Sequence, residues 1–155
     1  MTSLRTSLID VYVLRGTGDA LECLVLRRGL GGRCPGSWET VHGHIESAEP
    51  PASAALRELD EETGLSPLRL YNLSRVELFY QHRTDEVALV PVFAAFVTSD
   101  AAVRLGPEHD SFEWLSVAEA RLRFVWPRER RALEDILTLL GSGNAGTVDD
   151  VLRVC

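Results

Sequence analysis

Three glutamates in one short segment have the spacing of a site for a divalent cation. Glu58, Glu61 and Glu62 lie at positions i, i+3 and i+4, so a helix would project all three carboxylates from one face. Like charges at this spacing repel each other, whereas a hard dication coordinated by oxygen would turn that repulsion into binding. A solvated acidic face is the ordinary alternative for such a run. The triplet alone leaves both interpretations open.

The residues around the glutamates predict the helix that positions them. Apolar side chains, Leu56 among them, recur with helical periodicity between Ala52 and Thr63 and form one stripe to be buried. A proline at position 51 suits the first turn, where its missing N–H has no consequence. Gly64 is typical of a helix C-cap. The segment should therefore bury one face and carry three negative charges beside it.

The remaining elements are mostly strands, followed by two helices. Strands are predicted at residues 8–15, 20–28, 68–80, 87–98 and 112–115, a loop at 29–37, a short extended segment at 38–42, a short helix after Ser116 and a long helix from Pro127 to about Leu140. The segment 87–98 is so continuously apolar that it should lie in the middle of the sheet. We expect an α/β fold with a mixed sheet flanked by helices on both faces.

Length and charge limit the possible partners. The chain has 155 residues, which favours one domain; we assign residues 1–141 to it and 142–155 to a flexible linker and a short C-terminal segment. The net charge of −7 argues against a nucleic acid partner. No apolar run approaches the roughly 20 residues that span a bilayer, and residues 1–10 do not resemble a signal peptide. We therefore expect a cytoplasmic protein with no membrane partner, and the oligomeric state stays open.

The glutamates belong to a longer pattern. From Gly43 to Leu65 the sequence reads G-x5-E-x7-R-E-U-x-E-E-x-G-U, where U is a bulky aliphatic residue. This pattern resembles the Nudix box of the Nudix hydrolase family, with every specified position filled. The resemblance implies an α/β/α sandwich in which the box forms a loop, a helix and a second loop. It also implies hydrolysis of a phosphoanhydride bond with Mg²⁺ or Mn²⁺ as cofactor.

The resemblance implies metal ligands as well. Glu58, Glu61 and Glu62 would hold the ions, and the backbone carbonyl of His42, which precedes the first glycine of the box, would join them. Most family members have Pro-Gly-Gly at this point, whereas this chain has Val41-His42-Gly43. The departure leaves the metal helix intact and puts the shape of the entrance loop in doubt.

Two further roles follow from the resemblance. Arg57 and Glu49 would form an ion pair that braces the loop against the helix. One of the box glutamates, or a carboxylate elsewhere, would activate the attacking water. Family members differ on this residue, and we favour Glu61.

Three shorter patterns resemble the dihydroneopterin triphosphate and dATP pyrophosphatases of the family. They are W-x-x-V-x-G from Trp38 to Gly43, E-H followed by F-x-W-L from Glu108 to Leu115, and a helix start at Trp126 with the segment 128–133. In that branch the glutamate that corresponds to Glu108 is an additional metal ligand. An exposed, solvated glutamate is the ordinary alternative at this position.

Several residues outside the box could bind the substrate. Arg27 and Arg28 end a predicted strand beside a glycine-rich loop and could clamp phosphates. Trp38 and Trp126 could stack on a base, and His82 could contact the substrate. Each has an ordinary alternative, namely a strand end at the surface, a tryptophan of the core, or a residue that caps a turn.

The leading hypothesis is a hydrolase that converts a nucleoside triphosphate-like molecule, of the dATP or dihydroneopterin triphosphate type, to a monophosphate and pyrophosphate. A second hypothesis keeps the chemistry but has ADP-ribose, a dinucleoside polyphosphate or another X-linked nucleoside diphosphate as substrate. A third is a sensor that binds a nucleotide without cleaving it. The complete set of box carboxylates favours hydrolysis of a small nucleotide-like partner.

Overall fold

Strands outnumber helices in the chain, and the computed structural model describes residues 1–155. The strands are β1 (Ser3–Thr6), β2 (Leu8–Arg15), β3 (Glu22–Arg28), β4 (Trp38–Glu39), β5 (Val41–His44), β6 (Arg69–Gln81), β7 (Glu86–Phe96) and β8 (His109–Ser116). The helices are α1 (Pro51–Thr63), α2 (Val117–Arg123), α3 (Pro127–Leu140) and α4 (Asp149–Leu152).

All strands belong to one mixed sheet, with β7 inside it. One edge of β7 pairs antiparallel with β6, and the other edge pairs parallel with β1 and β2. Strand β2 also pairs antiparallel with β5 and β3, and β3 pairs with β4 and β8. Strand β7 thus has neighbours along both edges, as predicted for a strand in the middle of the sheet, and its residues 92–96 are buried.

Alternate residues of β2 face two separate cores, as the pleat of a strand requires. Ile9, Val11 and Val13 belong to the core that includes the buried residues of α1. Tyr12 and Leu14 belong to the core beneath α2, α3 and α4. The predicted α/β/α arrangement is therefore confirmed.

Helix α1 has the predicted bounds. Ala55 and Leu59 are fully buried, and Gly64 ends the helix in the left-handed conformation with a φ of 67°. Leu56, which we expected on the buried stripe, is exposed instead, because it lies at the margin of the face that contacts the sheet. None of the helices is long and apolar enough to cross a bilayer.

Two short elements were not predicted. Strand β1 is exposed along its whole length, and its sequence Ser-Leu-Arg-Thr has no apolar pattern. It forms because β7 extends beyond its pairing with β2. Residues 92–96 of β7 pair with β2, and the backbone groups of residues 86–89 pair with β1. Helix α4 has only four residues, too few for a periodicity to be read.

The C-terminal segment packs on the core beneath α3. Ala145 and Leu152 are buried in that core. The Tyr71 hydroxyl donates to the Asp149 carboxylate at 2.7 Å, and the Val154 N–H donates to a backbone carbonyl of β6 at 2.8 Å. These contacts tie down the short C-terminal segment that follows the predicted linker. The division of the chain at residue 141 stays a prediction.

The packing of this segment can be tested with Leu152→Ala. Removal of a buried leucine side chain should lower the free energy of unfolding by about 2–3 kcal/mol. Val151 is exposed, so Val151→Ala should change it by less than about 0.5 kcal/mol. Urea unfolding measures both variants, and equal values for the two would show that the segment is not part of the folded core.

Candidate active site

Helix α1 presents its glutamates at the edge of the sheet in three different environments. Glu62 is 5% exposed, whereas the side chain of Glu61 is 56% exposed. The Glu58 carboxylate lies against the backbone of Gly43 in β5, so closely that a Cβ atom at position 43 would overlap it. The glycine at the start of the motif is required for this close approach.

Arg57 joins the helix to the loop before it. Its Nε and Nη2 donate to the two carboxylate oxygens of Glu49, each at 2.9 Å. Its Nη1 donates to Glu58 at 2.8 Å and to Glu61 at 3.3 Å. Its Nη2 also donates to the carbonyl of His44 at 2.8 Å. One guanidinium group thus connects the loop, strand β5 and two box carboxylates.

The Glu62 carboxylate is chemically suited to a cation. Its Oε2 is buried and has no hydrogen-bond partner. Burial raises the pKa of Glu62 well above its ordinary value, and the negative charges of Glu39, Glu108 and Glu58 raise it further. A buried carboxylate among other carboxylates is unfavourable unless a positive charge compensates it. These residues therefore fit the divalent metal that the motif implies.

The acidic side chains do not converge on a single point. No three carboxylate, histidine or cysteine side chains lie close enough together to enclose an ion. Glu58 and Glu61 accept hydrogen bonds from Arg57 instead. Their metal roles, and those of Glu108 and His42, stay predictions.

The carbonyl of His42 points to the side of β5 on which α1 lies. In an antiparallel ladder, only every second pair of facing residues exchanges backbone hydrogen bonds. Ile45 and Ser7 form such a pair, in which the Ile45 N–H donates to the Ser7 carbonyl at 2.9 Å. His42, which is opposite Asp10, is therefore at a position whose backbone groups point away from β2. The carbonyl of His44 has the same direction and binds Arg57 there.

A buried cluster around Glu39 was not predicted. Glu39 is on β4 and is 4% exposed. Its carboxylate accepts a hydrogen bond from Nη1 of Arg28 at 3.0 Å and pairs with Nε2 of His109 at 2.9 Å. Burial alone would raise the pKa of Glu39, but the hydrogen bonds from His109 and Arg28 outweigh it and lower the pKa. Only the pairing of β4 and β8 with β3 brings these residues together, so no local pattern indicates them.

Glu108 reaches the site because its loop is bonded to the end of α1. Backbone N–H groups of Arg104 and Gly106 donate to the carbonyls of Thr63 and Glu62 at 2.8 and 3.1 Å. These bonds satisfy helix carbonyls that would otherwise have no partner. Glu108 follows two residues later, and its Oε2 is 3.9 Å from the Arg28 guanidinium.

A cleft of about 610 Å³ is lined at one end by Arg28, Glu39, Glu58 and Glu108, and it also has a second, differently built wall. His42, Trp126 and Arg128 form this wall, and Asp10 lies behind it. Burial would raise the pKa of Asp10, but His42 and Arg128 overcome it and lower the pKa to about 2. The sequence gives no sign of this group, because Asp10 and Arg128 are far apart in the chain.

The predicted substrate residues divide into two groups. Arg28 and Trp126 line the cleft. Arg27 instead binds Asp110 at 2.8 Å at the surface, and the Trp38 ring lies beneath the guanidinium of Arg123. Because Arg27 and Trp38 are paired in register, both point to the face opposite Glu39. The prediction that these two bind substrate is not supported by their position.

His82 lies outside the main cleft. It lines a neighbouring depression of about 460 Å³ with Arg33 and Arg83, and no acidic side chain lines this depression. Phe79 and Gln81 line both spaces. A long ligand could therefore extend from the cleft into the depression.

Glu129 fixes the segment that carries Glu39 and His42. It is fully buried in the first turn of α3, and it accepts from the backbone N–H of Thr40 at 2.6 Å and of Trp126 at 3.2 Å. Burial, followed by the negative charge of Asp10, raises its pKa to about 8.

Residues 5–136 match the family model of the NUDIX domain. Since the match covers most of the chain, the protein belongs to this family, and the predicted recognition is confirmed at that level. An octanoyltransferase of Myxococcus xanthus is 40% identical over 131 residues, which cover 78% of this chain and 34% of that protein. An asymmetrical bis(5'-nucleosyl)-tetraphosphatase of Rattus norvegicus is 34% identical over 85 residues, which cover 54% of this chain and 58% of that protein. The chain thus spans less than two thirds of either relative.

The fold agrees with that of solved structures in the family. The dihydroneopterin triphosphate pyrophosphohydrolase of E. coli superposes with a TM-score of 0.69 at 20% identity, over 89% of this chain and 99% of that one. At this identity the likeness shows the fold alone. The hydrolases among the relatives support the predicted enzyme class, but their variety does not single out the predicted branch.

We expect Arg57→Ala to lower both stability and turnover. The variant releases Glu49, Glu58 and the loop at once, and misplacement of reacting groups by about 1 Å reduces turnover by about a hundredfold. Urea unfolding and steady-state kinetics measure the two effects. Arg121→Ala, which removes an exposed ion pair with Glu134, is the matched control. A fully stable but inactive Arg57→Ala variant would instead indicate direct contact with the substrate.

Glu129 should make the protein less stable as the pH rises. Its pKa is raised from 4.5 to about 8, so between these values the folded state binds more protons than the unfolded state, and stability declines with increasing pH. Glu129→Gln removes this titration and should make the decline in the free energy of unfolding shallower. Urea unfolding at a series of pH values tests this. Glu134→Gln, on the exposed face of the same helix, should leave the slope unchanged, and an unchanged slope in Glu129→Gln would contradict the assignment.

Proposed function

We propose that the protein is a divalent-metal-dependent hydrolase of a phosphoanhydride bond in a small nucleotide-like molecule. The observation that carries this proposal is the buried Glu62 carboxylate, whose Oε2 has no partner and whose neighbours are other carboxylates. Its neighbours Glu39, Glu58 and Glu108 line one end of a cleft of about 610 Å³, a size suited to a small ligand.

The metal would be held by Glu58 and Glu62, together with Glu61, Glu108 and the backbone carbonyl of His42, which lie nearby. A bound Mg²⁺ or Mn²⁺ offsets the charge of the phosphates and lowers the pKa of a water molecule. Arg57 keeps Glu58 and Glu61 on one side of the helix through its hydrogen bonds.

Two carboxylates are candidates for the activation of water. Glu61 is the residue favoured from the sequence; it is half-exposed and bound weakly by Arg57. Glu108 lines the cleft directly, with a side chain that is also largely exposed. The position of Glu108 makes it an equally strong candidate for this role.

The first candidate substrate is a nucleoside triphosphate-like molecule, which would yield a monophosphate and pyrophosphate. Trp126 lines the same cleft as Glu58 and Glu108, and a ring attached to the phosphates could stack on it. The sequence patterns shared with the dihydroneopterin triphosphate branch support this candidate.

The second candidate is a dinucleoside polyphosphate. The depression beside the cleft has Arg33, His82 and Arg83 on its surface, in a chain of net charge −7. Neither arginine forms an ion pair with a carboxylate, whereas most arginines of the chain do. Positive groups of this kind suit the second phosphorylated half of a long substrate. The tetraphosphatase among the relatives supports this candidate.

Product analysis separates the two candidates. Nucleoside triphosphates, dihydroneopterin triphosphate, ADP-ribose and a dinucleoside tetraphosphate are incubated with Mg²⁺, and the products are resolved by chromatography. Release of inorganic pyrophosphate supports the first candidate, and two phosphorylated nucleosides support the second. No turnover of any compound, with a folded protein and either Mg²⁺ or Mn²⁺, would contradict the proposed function.

We expect Glu62→Gln to lower kcat at least about a hundredfold, because the loss of one metal-holding charge removes electrostatic stabilisation of the transition state. The fold should be retained, since the amide has the same shape. Asp60→Asn is the matched control, because Asp60 is an exposed acid of the same helix at an unspecified position of the motif. Near-normal turnover of Glu62→Gln would refute the assignment.

A further inference from the structure

A fully buried carboxylate lies behind the cleft wall that contains His42. Asp10 has no exposed surface, and its Oδ1 is 2.6 Å from Nδ1 of His42. Its Oδ2 accepts from Nε of Arg128 at 2.8 Å. The Arg128 guanidinium lies 5.4 Å from the ring centroid of Trp126. These side chains are on the face of the sheet opposite α1, whereas the backbone of His42 hydrogen-bonds to Glu62.

The hydrogen bond to Asp10 determines which imidazole nitrogen is left for a ligand. A carboxylate paired with an arginine is ionised and can only accept hydrogen bonds. His42 therefore donates from Nδ1, and in the neutral ring Nε2 is an acceptor. This Nε2 has no partner within the protein, and the His42 side chain is 26% exposed where it lines the cleft.

A structural role alone does not account for this arrangement. The ion pair between Asp10 and Arg128 is sufficient to join α3 to β2. His42 adds a third group whose inner nitrogen is held at a fixed distance and whose outer nitrogen faces open space. Fixed inner contacts that orient a ring with one free nitrogen are what a site for hydrogen-bond recognition needs.

We propose that His42 recognises the ring system of the substrate. Its Nε2 accepts a hydrogen bond from an amino or ring N–H group of that ring system. The adjoining Trp126 offers an aromatic surface against which a nitrogen heterocycle can pack. Asp10 is a positioning residue that acts through His42. This inference rests on the proposed function, because the ring is the part of a nucleotide-like substrate that extends beyond its phosphates.

The test compares a nucleotide with a compound that has the same phosphates but no ring. The nucleotide is the best substrate of the panel above, and its counterpart is the ribose 5-polyphosphate of equal phosphate chain length. KM and kcat are measured for both compounds with His42→Asn and with the unaltered protein. The asparagine amide lies at about the distance of Nδ1 from the backbone, so this variant keeps a partner for Asp10 and removes Nε2 together with the outer part of the ring.

His42→Asn should raise KM for the nucleotide about tenfold, the effect of one lost hydrogen bond in a site built for it. KM for the ring-free compound should rise much less, because that compound has no ring group to donate to Nε2, and the ratio of the two KM values is therefore the quantity compared. His42→Gln, whose amide reaches about as far as Nε2, should restore part of the affinity for the nucleotide. Arg121→Gln is the control and should change none of these values.

Equal effects of His42→Asn on both compounds, or no effect on either, would overturn the inference. If the unaltered protein hydrolyses neither compound, the proposed function fails, and equilibrium binding of the same two compounds decides the inference. If His42→Asn loses affinity for the nucleotide alone, the inference is supported. If its affinity for the two compounds changes equally, or for neither, the inference is refuted.

Asp10→Asn tests the positioning role. An amide can donate to Nδ1 and reverse the ring's tautomer, so Nε2 becomes a donor. The variant should therefore shift the preference among nucleotides towards rings with an acceptor at that edge, while the ring-free compound is unaffected. An unchanged preference in a folded variant would exclude this role. Where Asp10→Asn does not fold, because Arg128 loses its charged partner, the double variant Asp10→Asn/Arg128→Gln makes the same comparison.

Discussion

Burial of the Glu62 carboxylate beside other carboxylates is the constraint on which the rest of the site depends. A desolvated negative charge is unfavourable by itself and more so near Glu39, Glu58 and Glu108. Hydrophobic packing of α1 against the sheet, with Leu59 fully buried, holds Glu62 in this position. The fold thus holds together negative charges that a bound cation would neutralise, and the case for metal binding rests on this residue rather than on the number of acidic residues in the chain.

Strand β5 lies between the two proposed functions of the cleft, which are metal binding and recognition of the substrate ring. Its backbone groups at positions 42 and 44 point towards α1, where Gly43 leaves room for Glu58. The side chain of His42 points to the opposite face, towards Asp10 and the first turn of α3. Metal binding and ring recognition can therefore share adjacent atoms of one residue without competing for the same side chain. An extended strand has this property because its backbone and side-chain directions are perpendicular.

The sequence predicted the parts of the structure that are encoded locally. Helix α1 has the expected bounds, because the apolar period, Pro51 and Gly64 all lie within one segment. Asp10 and Glu39 were missed, because their partners come from distant strands and from α3. Arg27 and Arg28 could not be distinguished, since only the pairing of β3 shows which of two neighbouring side chains faces the cleft.

Helix α3 influences the site without supplying a metal ligand. Through Glu129 it holds the backbone at Thr40, between Glu39 on one side and His42 on the other. Through Arg128 it holds Asp10, and through Asp10 the orientation of the His42 ring. A change on α3 would therefore be transmitted to the cleft wall formed by His42, Trp126 and Arg128 more directly than to Glu62, which is anchored by α1 and the sheet. Substrate preference can for this reason vary with residues of α3 while the hydrolytic chemistry is retained.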